Sequence, residues 1–356
     1  MNKKRIIWIE LLRIAACIGV IGIHVASQHF KDAQLNSSVW AVSNFYHGIN
    51  RFAVACFIMI SGLLYLDERR TWNLKRLWTK NILQIAVAYI FWQIFYGVYR
   101  LIIKGTITQG KIACLKQLLN YVTKNYFHLW YLPMLMGLLA ITPLIWEIVN
   151  SSNGKQWEEY MIILFIICQV IPYTVNYFPV LYRKQIVNIL NTIHPDLVTS
   201  FTGYFILGHY LSKYGVSKKL EKIIYILGIT FILSGITLCY YSSLKSGKPV
   251  QSFYENYTLA AFFWSTTIFL IFKNYVSRIR WNEQQENIIC ILGNCTFGIY
   301  LIHAFFRNVL HTVGIDSMVI DNTILAVPLV VLLIFVLSCA AVMLIKKIPV
   351  VGKWIV

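Results

Sequence analysis

Residues 6–28 read IIWIELLRIAACIGVIGIHVASQ, a run long enough to cross a bilayer yet interrupted by Glu10, Arg13 and His24. A hydrocarbon core takes about 20 consecutive, mostly apolar residues in a helix. An ionisable side chain at that depth is costly, so its default reading is functional. Glu10 and Arg13 stand three apart, share a helix face and can pair. Arg13 and His24 stand eleven apart, close to three full turns, which points both the same way about 16 Å apart along the axis. One stripe of this helix thus carries a carboxylate and a guanidinium towards one end and an imidazole towards the other. Each has a plainer reading alone: an ion pair snorkelling to headgroups, and a histidine hydrogen-bonded to a neighbouring helix. Together on one stripe they read as a site.

The rest of the chain agrees with a membrane setting. Of its 356 residues 58% are hydrophobic and only 13% charged, where a soluble domain carries about a quarter. The net charge of +18 would ordinarily raise nucleic-acid binding. Here the Lys and Arg residues sit in short loops between apolar runs, where they set orientation, so no nucleic-acid partner is expected. Ten spans are predicted, over 6–28, 40–66, 80–103, 126–149, 158–177, 196–212, 220–242, 256–273, 286–310 and 322–345. Pro172, Pro179 and Pro195 interrupt the pattern around the fifth and sixth. An even number puts both ends on one side. Lys and Arg fall about twice as often on the side of the termini as opposite, which makes both termini cytoplasmic. The longest outer loops are 104–125 and 178–195. Ile112, Leu115, Leu118, Leu119 and Val122 give the first an amphipathic helix for the outer membrane face. Lys3, Lys4 and Arg5 before an apolar run imitate a signal peptide. Glu10 and Arg13 interrupt that run and no clean cleavage site follows, so it reads as a retained first helix. The expectation is an all-α polytopic membrane helix bundle, one membrane-embedded domain over 1–356 with no appended soluble domain. Eight cysteines without a CxxC pair give neither a disulfide framework nor a zinc spacing, and no metal is expected.

Further polar residues lie in or beside the spans. Arg51 has no acidic neighbour within a turn, so its partner should be another helix, water or a ligand. Ser61-Gly62 is a small pair that permits close backbone approach. His128, Trp130 and Tyr131 open the fourth span, where an aromatic belt accounts for the last two and His128 either joins them or faces the site. In the ninth span Tyr300 and His303 are three apart on one face, and Arg307 follows four later on that face. His209 reads as structural. No G-x-S-x-G, H-E-x-x-H or Gly-rich phosphate loop is present.

In this order the residues resemble the acyltransferase-3 family of bacterial membrane acyltransferases. The resemblance is narrower to stand-alone surface-polysaccharide O-acetyltransferases, such as the type that modifies enterobacterial common antigen. It rests on Glu10 and Arg13, ten residues and His24, then Arg51, Phe57 and Ser61-Gly62. It continues through His128-Leu129-Trp130-Tyr131 and Gly298-Ile299-Tyr300-Leu301-Ile302-His303. The family more often has Asp at the position of Glu10, two phenylalanines where this chain has Cys56-Phe57, and Phe or Tyr at Leu63. The resemblance implies acetyl-CoA or another short acyl-CoA as donor and a cell-surface or lipid-linked glycan as acceptor. Glu10 and Arg13 would then serve the coenzyme, and His24 would act as base. Arg51 would stabilise the oxyanion or a phosphate. Ser61, His128, Tyr300, His303 and Arg307 form a second tier. The competing class is a transporter or flippase of a lipid-linked sugar, which an inverted repeat would mark; none is visible. A third class is a sensor or assembly component with no turnover; the family also includes membrane modules joined to racemase domains, which leaves a substrate-uptake role open.

Overall fold

The computed structural model describes residues 6–30, 33–105, 110–177, 200–349 and 351–356. Lys3, Lys4, Arg5, Lys31 and the expected outer loop 178–195 with Arg183 and Lys184 lie outside the described residues, as do residues 196–199 of the sixth expected span. The described chain forms α1 (Ile7–Ala26), α2 (Ser38–Ile49), α3 (Phe52–Tyr65), α4 (Leu74–Ile103), α5 (Lys111–Thr123), α6 (Tyr131–Val149) and α7 (Gly154–Val175). There follow α8 (Thr202–Lys213), α9 (Lys218–Ser246), α10 (Leu259–Asn274), α11 (Glu283–Thr312), α12 (Thr323–Ile345) and α13 (Val351–Ile355). No strand occurs among these residues.

Among the described residues nine stretches are long and apolar enough to cross a membrane, with α2 and α3 together forming one of them. Of the sixth expected span the structure describes helix α8, 12 residues long, about 18 Å at 1.5 Å per residue. Every residue from Gly203 to His209 is buried, against α3 and α7. The fifth span continues through Pro172, because a π-helical turn at Ile166–Val170 precedes it and absorbs the hydrogen bond that proline cannot donate. The amphipathic helix expected in 104–125 forms as α5. Leu118 and Val122 lie against Gly97 of α4, while Ile112, Leu115 and Leu119 stay exposed.

α1 is the axis of the bundle. It packs on α2, α3, α10, α11 and α12, and α1 and α11 are the most buried spans at 61%, against 22% for α7. The ionisable first helix is therefore enclosed by protein rather than facing lipid. The start of α1 and the C-terminal helix α13 lie at the same end of the bundle. Glu10 sits against Gly293 of α11, the Lys346 ammonium donates to the neighbouring Asn294 carbonyl at 2.7 Å, and Gln84 donates to the carbonyl of Lys353 beside α13 at 2.8 Å.

The tightest seam is that of α3 with α8. A Cβ added at Gly62 would fall on the Phe205 carbonyl, and one added at Gly208 on the Met59 carbonyl. Backbone meets backbone there, with no flexible side chain to give way. Gly62→Ala and Gly208→Ala should each lower the stability of the purified protein by about 1–3 kcal/mol, the usual range for overpacking, read as a fall in thermal midpoint in detergent. Gly137→Ala, whose Cβ would meet nothing within 4 Å, should leave the midpoint unchanged.

Candidate active site

Glu10 and Arg13 pair as their spacing requires, with an Arg13 guanidinium nitrogen 3.2 Å from the Glu10 carboxylate. The carboxylate of the pair is enclosed by protein. Glu10 is 5% exposed and its carboxylate occupies the space a side chain at Gly293 would need. Arg13 looks the other way, into a cavity of about 570 Å³ that also receives His24, Arg51, Ser61, His128 and Tyr300. The cavity runs along the stripe read from α1, with Val20 and Ile23 between its polar ends.

At the His24 end three imidazoles from distant parts of the chain converge. The His24 ring stacks on His303 with centroids 5.3 Å apart and planes 23° apart. His128 stands edge-on to His303 at 4.9 Å and lies 6.3 Å from His24. His303 Nδ1 is 2.7 Å from the Tyr300 carbonyl. A carbonyl only accepts, so Nδ1 carries the proton. Its Nε2 is buried and makes no hydrogen bond, leaving a bare lone pair. His128 is the mirror case: Nε2 donates to the Leu301 carbonyl at 3.3 Å, and buried Nδ1 has no partner. The Tyr300 hydroxyl donates to the His128 carbonyl and so fixes the turn that carries that ring. Arg307 does not line the cavity. It donates to the His24 carbonyl at 3.5 Å and to Asn308 Oδ1 at 2.7 Å, and lies 4.8 Å from the Phe127 ring centre. It holds the backbone behind the imidazoles.

Arg51 lies at the junction of α2 and α3, and its partners are protein groups. Nη2 is 3.2 Å from His47 Nε2 and 3.4 Å from Gln251 Oε1. The order of the donors is fixed from the far end. The Asn44 amide nitrogen donates to the Ile236 carbonyl at 2.9 Å, so Asn44 Oδ1 accepts from the Tyr254 hydroxyl at 2.9 Å. Tyr254 in turn accepts from His47 Nδ1 at 3.2 Å, which frees His47 Nε2 to accept from Arg51. Ser61 Oγ donates to the Phe57 carbonyl at 2.9 Å.

Two expectations change. His128 precedes the first turn of α6 instead of lying on a helix, and it is buried to 1% exposure. Trp130 and Tyr131 line the cavity; Trp130 stacks on Phe201 at 5.6 Å and Tyr131 meets Tyr300 at 5.5 Å, so an aromatic belt does not account for them. The departures at Cys56 and Leu63 lie off the cavity. Cys56 donates to the Ser265 carbonyl at 3.6 Å and Leu63 packs in the core, while Phe57 takes the cavity side.

The sequence reading missed the far end of the cavity, where Arg76, Lys80, Asn81 and Gln84 from the start of α4 join Arg13. Arg76, Lys80 and Gln84 recur every four residues, a spacing that puts them on one helix face. Arg76 and Lys80 had counted only as loop charge, and Asn81 and Gln84 were not singled out. A second cavity of about 540 Å³ shares Arg76 and Asn81 and continues past Arg69, Arg70 and Trp72. The Arg70 guanidinium there lies 4.3 Å from the Tyr65 ring centre and 4.8 Å from that of Trp72.

The fold and this interior define a multi-pass membrane protein with a polar site enclosed between its helices. The chain belongs to the acyltransferase-3 family: the family's model, described as an acyltransferase domain, matches residues 6–346. It is also 24% identical over 353 residues to an amino-acid racemase of Enterococcus faecalis, covering 94% of this chain and 46% of that protein. The chain therefore spans about half the length of that curated relative. No solved structure matches.

Gly293→Ala should drive the Glu10 carboxylate out of its place and carry Arg13 with it. A displacement of about 1 Å near reacting groups can cost about 100-fold in rate. In the acyl-transfer reaction proposed below, the Gly293→Ala protein should lose activity by that order and some thermal stability with it, because the added Cβ meets a buried carboxylate, and Gly137→Ala should keep both.

Proposed function

We propose that this protein is an O-acyltransferase, acetyl being the favoured group. It would move the acyl group from cytoplasmic acyl-CoA to a hydroxyl of a cell-surface or lipid-linked glycan, within the cell membrane. The observation that carries the reading is the cavity itself, which has cationic residues at one end and the imidazoles of His24 and His128 at the other. Coenzyme A is polyanionic, and charge-assisted hydrogen bonds from guanidinium and ammonium groups are the strong ones. Arg13, oriented by Glu10, and Arg76 and Lys80 would hold its phosphates, and its flexible arm would carry the thioester along the stripe towards His24.

There an acceptor hydroxyl adds to the thioester carbonyl carbon as its proton passes to His24, a group whose ordinary pKa suits a general base. The developing oxyanion would be met by Arg51. Collapse breaks the carbon–sulfur bond, and the departing thiolate takes the proton back, giving the ester and free coenzyme A. His128 and His303 would orient His24 or relay the proton, and Tyr300 would hold His128. Phe57, Trp130 and Tyr131 offer apolar faces beside a few polar groups, the usual make-up of a small-molecule site.

Two measurements test this. In liposomes supplied with labelled acetyl-CoA, the protein should pass label to a glycan acceptor, and His24→Ala should reduce transfer by about 10²- to 10⁴-fold with folding intact. Full activity in that variant would reject His24 as the base, and failure of the unaltered protein to consume any acyl-CoA would reject the donor. Arg76→Ala with Lys80→Ala should raise KM for the acyl-CoA roughly tenfold at low salt, leave kcat nearly unchanged, and lose its effect as salt screens the charges.

A further inference from the structure

Beyond the His24 end of the cavity, the last turns of α1 and α11 bring a second group of side chains together. His29 Nε2 lies 3.1 Å from Asp316 Oδ2, and His311 Nδ1 lies 3.0 Å from the same oxygen. All three ligand atoms lie within 4.8 Å of one another. The two imidazole rings do not stack. Their centroids are 6.1 Å apart with planes at 67°, so the nitrogens approach the carboxylate from different sides. Asp316 is locked in place: its side chain is 13% exposed, and Oδ1 accepts from the Met318 N–H at 2.8 Å. His29 Nε2 is closed to solvent and, though 3.1 Å from the carboxylate, is not directed at it and makes no hydrogen bond.

We propose that His29, His311 and Asp316 form a binding site for a divalent transition metal of the zinc class, separate from the acyl-transfer cavity. Two imidazoles and one carboxylate are ligands such ions favour. Bonds of about 2.0–2.2 Å in tetrahedral array set ligand atoms about 3.4 Å apart; the two separations of 3.0–3.1 Å to the carboxylate oxygen must open by a few tenths of an ångström, and the two nitrogens, within 4.8 Å of each other, settle by rotation of the half-exposed His311 ring. His311 is half exposed, at 52% for its side chain, which leaves an entry path and room for water as a further ligand. The metal would fasten the end of α1, five residues past His24, to the end of α11, eight residues past His303. Its task would be to brace the two helices whose imidazoles stack in the cavity. None of the three ligands touches that cavity, so the site can fail without the acyl-transfer reading failing, and the reverse.

The test uses the full chain, purified in detergent, stripped with a chelator and titrated with Co2+ and then Zn2+. A single Co2+ should bind with the intense visible bands of a four- or five-coordinate site and without thiolate charge-transfer absorption, and Zn2+ should displace it. The thermal midpoint should rise with Zn2+ concentration, as binding to the folded state alone requires. Both effects should vanish in His311→Ala and in Asp316→Asn. An unchanged metal-free midpoint in His311→Ala would establish that this variant folds. Wild-type protein binding no more Co2+ than His311→Ala, or showing only the weak bands of hydrated Co2+, would overturn the proposal and leave a hydrogen-bonded His–Asp–His cluster.

Discussion

A carboxylate enclosed by protein must keep its cation, and the architecture around α1 follows from that requirement. Glu10 is nearly sealed, while its partner Arg13 is 28% exposed on the cavity side. Removing either partner of a buried pair leaves an uncompensated charge, which costs more than the pair contributes. The pair therefore fixes α1 inside the bundle rather than at its edge. It requires a neighbour without a side chain where the carboxylate lies, which Gly293 supplies. It also turns the guanidinium into the cavity. The apolar residues Leu12, Ala16 and Ile21, with no more than 1% exposure, then pack α1 among its neighbours without competing for the polar stripe.

What was legible in the sequence was whatever local periodicity controls. Glu10, Arg13 and His24 lie on one helix, so their shared stripe follows from 3.6 residues per turn, and Tyr300, His303 and Arg307 are legible for the same reason. The meeting of residues 24, 128 and 303 was not legible, because it depends on how α1, the turn before α6 and α11 sit in space. His128 was the harder case: a turn can aim a ring inward where a helix would have set it at the surface. The partner of Arg51 was visible in principle, since His47 stands four residues earlier. Its role emerges only with Tyr254 and Asn44 in place, because those groups decide which imidazole nitrogen is free. His29, His311 and Asp316 stand too far apart in sequence for any spacing rule to connect them.

The short helix α8 owes its burial to protein neighbours. Every residue from Gly203 to His209 is buried, packed against α3 and α7.

The same helix bears on the site through α3, which has two different faces. Met59 and Gly62 meet α8 backbone to backbone, a contact that cannot slide without a clash. Val54, Phe57, Ser61 and Tyr65, spaced by three and four residues, form the opposite stripe and line the cavity. A cavity inside a helix bundle tends to collapse unless something holds its walls apart, because interiors pack densely. The α3–α8 seam supplies that hold: one face is fixed by the absence of side chains, so the other can remain open. Ser61-Gly62 is thus more than a small pair suited to close packing. Gly62 belongs to the seam and Ser61 to the cavity, and their adjacency couples the rigidity of one to the openness of the other.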